Sequence, residues 1–303
     1  MSVQPVPEAR PHRAGNVAIV GRPNVGKSTL LNRLVGTRIS ITSDKPQTTR
    51  QQVTGIVTRA DAQVVFVDTP GYQTEHGSVL NRAMNRSVAA GLANVDAVVW
   101  MVEALVCDGR DEAVVGMLSG GVPVILAVNK TDTIKHKKRL LPFIAGLARL
   151  RDFAAVIPIS AAKGWQVDDL LEAIVPLLPE GPPLHDADEI TTLNERFLAA
   201  ELLREKLFRQ LGDELPYATT VEIEHFKEDG NLRSIQASIL VDREGQKAIV
   251  IGKGGQKLKS IASAARRDME GLFGGKVFLE VWVKVRRGWA DSEATLRRLG
   301  YGN

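Results

Sequence analysis

Two periodicities divide the chain. In its first half, short apolar runs at 17–20, 64–67, 97–102, 122–128 and 155–159 alternate with segments of helical spacing, such as Leu30, Leu31 and Leu34, or Leu170, Leu171 and Ile174. Runs without polar alternation predict strands buried on both faces. With helices between them, the expected class is α/β, a mostly parallel sheet with helices on both sides. Beyond residue 190 the pattern changes. Thr192-Leu-Asn-Glu195 reads as a capping box opening a long helix with Phe197, Leu198, Leu203, Leu207 and Leu211. Two alternating strands follow, through Val221, Ile223 and His225, then Ile235, Ala237, Ile239 and Val241, joined by Asp229-Gly230-Asn231. A short helix over 246–251 leads into Gly252-Lys-Gly-Gly255. A second helix from Gln256 carries Leu258, Ile261, Ala262, Ala265 and Met269 on one face. A last strand alternates through Val277, Leu279, Val281, Val283 and Val285. The second half is therefore α+β.

Pro179, Gly181, Pro182 and Pro183, followed by Asp186, Asp188 and Glu189, mark a linker at 181–190. This sets a first domain at 16–180 and a second at 191–303. Residues 1–15, rich in Pro and lacking an apolar core, read as a disordered leader. The length of 303 residues suits two domains, and 44% hydrophobic with 24% charged residues excludes disordered and fibrous classes. A single cysteine, Cys107, excludes a disulfide framework and a Cys-based zinc site. The most apolar stretch, 95–106, is broken by Asp96 and Glu103 and falls short of the ~20 residues a spanning helix needs. A cytoplasmic protein is expected.

Four strand-end motifs carry the chemistry. Gly21-Arg22-Pro23-Asn24-Val25-Gly26-Lys27-Ser28 fits GxxxxGK[ST] after a strand and before a helix, with Thr29 next. Such a loop offers backbone N–H groups to phosphates, Lys27 neutralises the β- and γ-phosphates, and Ser28 supplies a hydroxyl to Mg²⁺. Asp68-Thr69-Pro70-Gly71 places a carboxylate for the Mg²⁺ shell and a backbone N–H for the γ-phosphate. Asn129-Lys130-Thr-Asp132 offers a carboxylate to the N1–H and amine of guanine. Adenine presents the opposite pattern, so discrimination on the order of 10⁴ is expected. Ser160-Ala161-Ala162-Lys163 follows, with the Ala161 N–H expected to meet the guanine O6. A GTP/GDP site is the expectation.

These motifs resemble the translation-factor-related GTPases, which implies a Ras-like P-loop G domain. Lys45-Pro-Gln-Thr48-Thr49-Arg50 is similar to the switch segment of their Era/TrmE-like branch. That resemblance implies that Thr49, or alternatively Thr48, closes on Mg²⁺ and the γ-phosphate. Lys27, Thr49, Asp68 and Gly71 are then the expected catalytic set, and Ser28, Thr49 and Asp68 the expected metal set. Ras places a water-orienting glutamine directly after this glycine. Tyr72 stands there instead, so slow intrinsic hydrolysis is expected. Asn24 matches the asparagine that coordinates K⁺ in some relatives; its other reading is a turn residue.

Gly252–Gly255 between two helices resembles a type II KH domain. Ile251, Gly252, Lys253, Gly254, Gly255, Lys257 and Lys259 are the expected RNA contacts, with Ile249, Ile251 and Ile261 as candidate groove residues. Net charge is only +4, yet residues 243–288 hold 11 basic and four acidic residues. The positive charge sits around the GxxG loop. A G domain followed by such a KH domain resembles the Era GTPase family. The likeness extends to Asn194-Glu-Arg-Phe-Leu-Ala-Ala200, Glu214-Leu-Pro-Tyr217, Gly288-Trp-Ala-Asp291 and Leu299-Gly-Tyr301. It implies a monomeric GTPase that binds the 3′ end of 16S rRNA and assists assembly of the small (30S) ribosomal subunit. Two other readings remain open: a passive RNA-binding protein stabilised by GTP, and a peripheral GTPase on the inner face of the cell membrane. For the latter, Lys135-His-Lys-Lys-Arg139 would meet anionic lipid.

Overall fold

The computed structural model describes residues 11–301 apart from 44, 46, 73–77, 119 and 213. Strand β1 (Arg13–Val20) stands inside a six-stranded sheet ordered β2-β3-β1-β4-β5-β6. Its companions are β2 (Val53–Thr58), β3 (Ala62–Asp68), β4 (Ala97–Glu103), β5 (Val124–Asn129) and β6 (Ala155–Pro158). All neighbours pair in parallel except β2 with β3. Successive side chains go to opposite faces. Val17 and Ile19 join a core with Leu30 and Leu31 of α1 (Lys27–Val35) and Leu170 and Ile174 of α5 (Val167–Ile174). Ala18 and Val20 join Trp100, Val114 of α3 (Gly109–Met117) and Leu140 and Leu147 of α4 (Leu140–Leu147). Two buried faces explain the unbroken apolar runs.

The apolar runs alone miss β2. Its Gly55 breaks the pattern because the strand crosses α1 closely: a β-carbon there would lie 2.7 Å from Leu31 and from Val35 side-chain carbons. The leader boundary also moves. Residues 13–15 belong to β1, since Arg13 N–H donates to Asp61 O (3.1 Å) and Ala14 N–H to Pro179 O (3.1 Å). The Arg13 guanidinium adds a bond to Leu178 O (2.5 Å) and an ion pair with Glu180 (2.9 Å). Backbone pairing, which side-chain hydropathy does not reveal, fixes this start. Residues 1–10 lie outside the described residues.

The 181–190 connection is not a free tether. Leu184 and His185 N–H groups donate to Gln63 Oε1 (2.7 and 2.8 Å), Gln63 Nε2 donates to His185 O (2.9 Å), and Ile56 N–H donates to Ile190 O (2.9 Å). Gln63 is fully buried, so its amide needs these partners.

In the second domain α6 (Glu195–Gln210), α7 (Glu244–Ile251) and α8 (Gln256–Phe273) accompany a sheet ordered β7-β8-β9. The strands are β7 (Thr219–Asp229), β8 (Leu232–Val241) and β9 (Lys276–Val285). β8 pairs antiparallel with β7 and parallel with β9. Leu203, Leu207, Ile235, Ile239, Ile261 and Ala265 form their shared core. The helix N-cap is Asn194, not Thr192: its side chain accepts from Phe197 N–H (2.8 Å). A bulge between Ile223 and His225 breaks the alternation, which leaves His225 exposed. Finally Trp289, Leu296 of α9 (Glu293–Arg298) and Tyr301 pack on Leu80 and Met84 of α2 (Val79–Leu92). Among the described residues, no helix is long and apolar enough to cross a membrane.

Leu203 is fully buried in the second core. Leu203→Ala is expected to lower stability by about 2–5 kcal/mol, measured by urea unfolding.

Candidate functional site

The turn between β1 and α1 requires left-handed backbone at Asn24 (φ 65°) and Gly26 (φ 102°). At Gly26 a β-carbon would stand 2.4 Å from the Asn129 amide nitrogen, so only glycine fits. The helix opens directly from this loop and presents its first-turn N–H groups to an anion. A cleft of about 590 Å³ lies in front. It is lined by Arg22, Pro23, Asn24, Gly26, Lys27, Ser28 and Thr29, by Thr42, Gln47, Thr48, Thr49 and Gly71, and by Asn129, Lys130, Asp132 and Ala162. The structure thus brings all four strand-end motifs and the switch segment to one opening. Gly21, Val25, Asp68, Thr69, Pro70, Ser160 and Ala161 are buried residues outside that lining.

Three oxygens converge beside the loop. Ser28 Oγ lies 2.8 Å from Thr49 Oγ1 and donates to Asp68 Oδ2 (2.6 Å). Asp68 is fully buried, and its Oδ1 has no partner among the described residues. Burial pushes its carboxyl pKa up, against Lys27 and the hydroxyls of Ser28 and Ser40. An orphaned carboxylate oxygen with two hydroxyls is an all-oxygen donor set, and it fits a hard cation such as Mg²⁺. The Thr48 hydroxyl instead turns back to Lys45 O (2.6 Å). Of the two threonines, Thr49 therefore faces the donor set.

Lys27 Nζ donates to Gly21 O and Arg22 O, both at 3.0 Å. Burial pulls its pKa down to about 8, although Asp68 opposes the shift. Gly71 lies against the loop backbone: a β-carbon there would come 2.8 Å from Pro23 Cα. At the base end, Asn129 staples two motifs. Its Nδ2 donates to Val25 O (2.7 Å) and its Oδ1 accepts from Ala161 N–H (2.9 Å). The Ala161 N–H expected to meet guanine thus bonds the buried Asn129 oxygen, and Ala162 is the residue of that loop on the cleft. Ser160 Oγ donates to Asp132 Oδ1 (2.7 Å) and orients the carboxylate.

In the second domain, Gly252, Gly254 and Gly255 have φ of 70°, 58° and 75° between α7 and α8. A β-carbon on Gly252 would strike Lys257 Cβ at 2.6 Å. Lys253, Gly254 and Lys259 are exposed, while Ile251 and Lys257 are half-buried. Ile249 is 54% exposed, but Ile261 is fully buried in the core and is no groove residue. Helical spacing alone does not separate these two positions. Two of the local acids are occupied, Asp268 by Arg38 and Lys206, and Glu270 by Arg266.

Sequence-family comparison matches residues 16–130 to the 50S ribosome-binding GTPase family and residues 214–290 to the KH domain. GTPase Era of Nitrosomonas eutropha is 54% identical over 290 residues, covering 96% of this chain and 98% of the relative. The chain belongs to the Era family. GTPase Era of Stenotrophomonas maltophilia K279a is 55% identical, covering 97% of this chain and 99% of its own. Two solved Era structures superpose with a TM-score of 0.92 at 40% identity, over 96% of this chain and all of theirs. One is an Aquifex aeolicus Era variant bound to GDP·AlF₄⁻; the other is Era with MgGDPNP and nucleotides 1506–1542 of 16S ribosomal RNA. This Era-family chain is a GTPase with a P-loop G domain and a KH domain.

Motif reading alone misses the residues that brace the Era-family site. Arg33 donates to Ala161 O (3.3 Å) and Ala162 O (2.7 Å), holding the base loop from α1. Glu103 pairs with Arg22 (3.1 Å) and Lys130 (2.8 Å), and the fully buried Asp111 pairs with Arg22 (3.3 Å). None belongs to a motif, and only their distant partners give them a role. Asn129→Ala is expected to weaken GTP and GDP binding alike, by about ten- to a hundred-fold, because the staple serves the loop and not the γ-phosphate. Titration with fluorescent analogues of both nucleotides checks the equality.

Proposed function

We propose that this chain is a GTP-controlled switch that binds the single-stranded 3′ end of 16S rRNA through its KH domain and assists assembly of the small ribosomal subunit. The observation that carries the switch is the Ser28–Thr49 contact at 2.8 Å beside the buried Asp68. It puts a residue of the 38–50 segment onto the motif that holds the nucleotide. A passive RNA-binding protein has no need of such a γ-phosphate sensor.

In this reading Lys27 and the loop N–H groups hold the β- and γ-phosphates, and Ser28, Thr49 and Asp68 hold Mg²⁺, which neutralises phosphate charge. Gly71 N–H reports on the γ-phosphate, and Asp132 selects guanine. Water attacks the γ-phosphorus in line, the bond to the β,γ-bridging oxygen breaks, and GDP and phosphate leave. Tyr72 offers no carboxamide to orient that water, so hydrolysis is slow. Asn24 lines the cleft, and K⁺ there would add positive charge; hydrolysis that is faster in K⁺ than in Na⁺ is the expected result.

For RNA, the GxxG loop lets a phosphate backbone approach, and Lys253, Lys257 and Lys259 supply charge. The Era relative crystallised with nucleotides 1506–1542 supports 16S rRNA as the ligand. Asp132→Asn is expected to abolish the preference for GTP over ATP without removing phosphate binding, as competition assays would show. Lys253→Asp is expected to reduce affinity for a 16S 3′-end oligonucleotide on the order of ten-fold and leave GTP affinity unchanged. Loss of both together would refute this division of labour.

A further inference from the structure

The residues on either side of Thr49 are held by the second domain, one through its backbone carbonyl and the other through its side chain. Arg204 of α6 donates through Nη2 to Thr48 O, and its own fork is aligned by Glu201 through Nε–Oε1 (2.7 Å) and Nη2–Oε2 (2.6 Å). Arg50, the residue after Thr49, reaches the other way. Its guanidinium donates to Thr219 O (2.9 Å), Tyr217 O (3.1 Å) and Pro216 O (3.3 Å). Both arginines are only 1% exposed. Phe208 lies 5.4 Å from the Arg204 guanidinium and 5.6 Å from that of Arg50, and the Trp289 ring closes over Arg50 at 5.8 Å.

We infer that Arg204 is a positioning residue for Thr49, so that the RNA-binding domain sets how well the GTPase site tells GTP from GDP. The inference rests on the proposed role of Thr49 as Mg²⁺ and γ-phosphate sensor. A carbonyl fixed by a buried, charge-assisted bond fixes the plane of the 48–49 peptide. Thr49 Oγ1 is then held where it meets Ser28 Oγ. Burial opposes the charge on Arg204, but the Glu201 carboxylate outweighs it and holds the guanidinium protonated. GDP has no γ-phosphate for Thr49 to sense, so a displaced Thr49 penalises GTP alone.

The test uses the full chain with Mg²⁺ and compares wild type, Arg204→Lys, Thr49→Ala and the double variant. Lysine keeps the charge beside Glu201 and loses the fork. Arg204→Lys is expected to weaken GDPNP binding about ten-fold, change GDP binding less than about two-fold, and lower kcat. In the double variant GDPNP binding is expected to be no weaker than in Thr49→Ala alone, because both changes act through one hydroxyl. A merely structural role would weaken both nucleotides equally or give additive losses, and either result would overturn the inference. If Arg204→Lys fails to bind GDP, Glu201→Gln carries the test, and an unchanged GDPNP-to-GDP ratio there would overturn it. Indifference to Thr49→Ala would sink the reading of Thr49 as sensor and the inference together. A response to Thr49→Ala with none to Arg204→Lys would sink the inference alone.

Discussion

Charge removed from water has to find charge, and the domain junction is built around that requirement. Along α6, Glu201, Arg204, Glu205 and Lys206 are all buried. Isolated, each would cost several kcal/mol, so the helix is tolerable only with its partners in place. Some of those partners belong to the other domain. Glu205 pairs with Arg38, and its Oε1 accepts from Thr42 N–H (3.2 Å). Asp268 of α8 takes Arg38 (2.8 Å) and Lys206. The pairs close together in one arrangement, and a small slide would leave several charges unpaired. Such a seam favours discrete states over continuous drift.

The same seam links two chemistries. Arg38 follows the helix that opens on the phosphate loop, and α8 begins at the GxxG turn. A shared carboxylate, Asp268, stands between them. Residues 42, 48 and 50 all touch the second domain, so the segment that carries Thr49 is covered on its outer side by the KH half. The contact with Ser28 and the contacts with the second domain therefore fall on the same short stretch of chain.

Strand-end motifs and the GxxG turn were legible in the sequence because their chemistry is local: a glycine whose conformation is forced, a lysine beside it, a carboxylate at a strand end. The parallel sheet was legible because strands buried on both faces lose polar alternation. What stayed hidden depends on contacts far along the chain. The long helix reads as ordinary and amphipathic from Leu198, Leu203 and Leu207, yet four of its charged residues, Glu201, Arg204, Glu205 and Lys206, are buried beside its leucines. Helical spacing could not tell Ile249 from Ile261. Likewise only the directions of the hydroxyls distinguish Thr48 from Thr49, one turned to Lys45 O and the other to Ser28. Arg33 and Glu103 carry no motif; they matter through residues 128 and 81 positions away.

The hydrogen bonds that tie Ala14 to Pro179 and Gly181 to His12 give the first domain a single doorway. Chain arriving at His12 and chain departing at Gly181 pass through the same spot on its surface. The domain is a closed loop of fold, with its gate beside the path to its neighbour. His12 thus stands at the root of the connection between the domains, far in sequence from residue 181 but next to it in space. A change at His12 would therefore act at the interdomain connection, while the cleft at the strand ends stays clear.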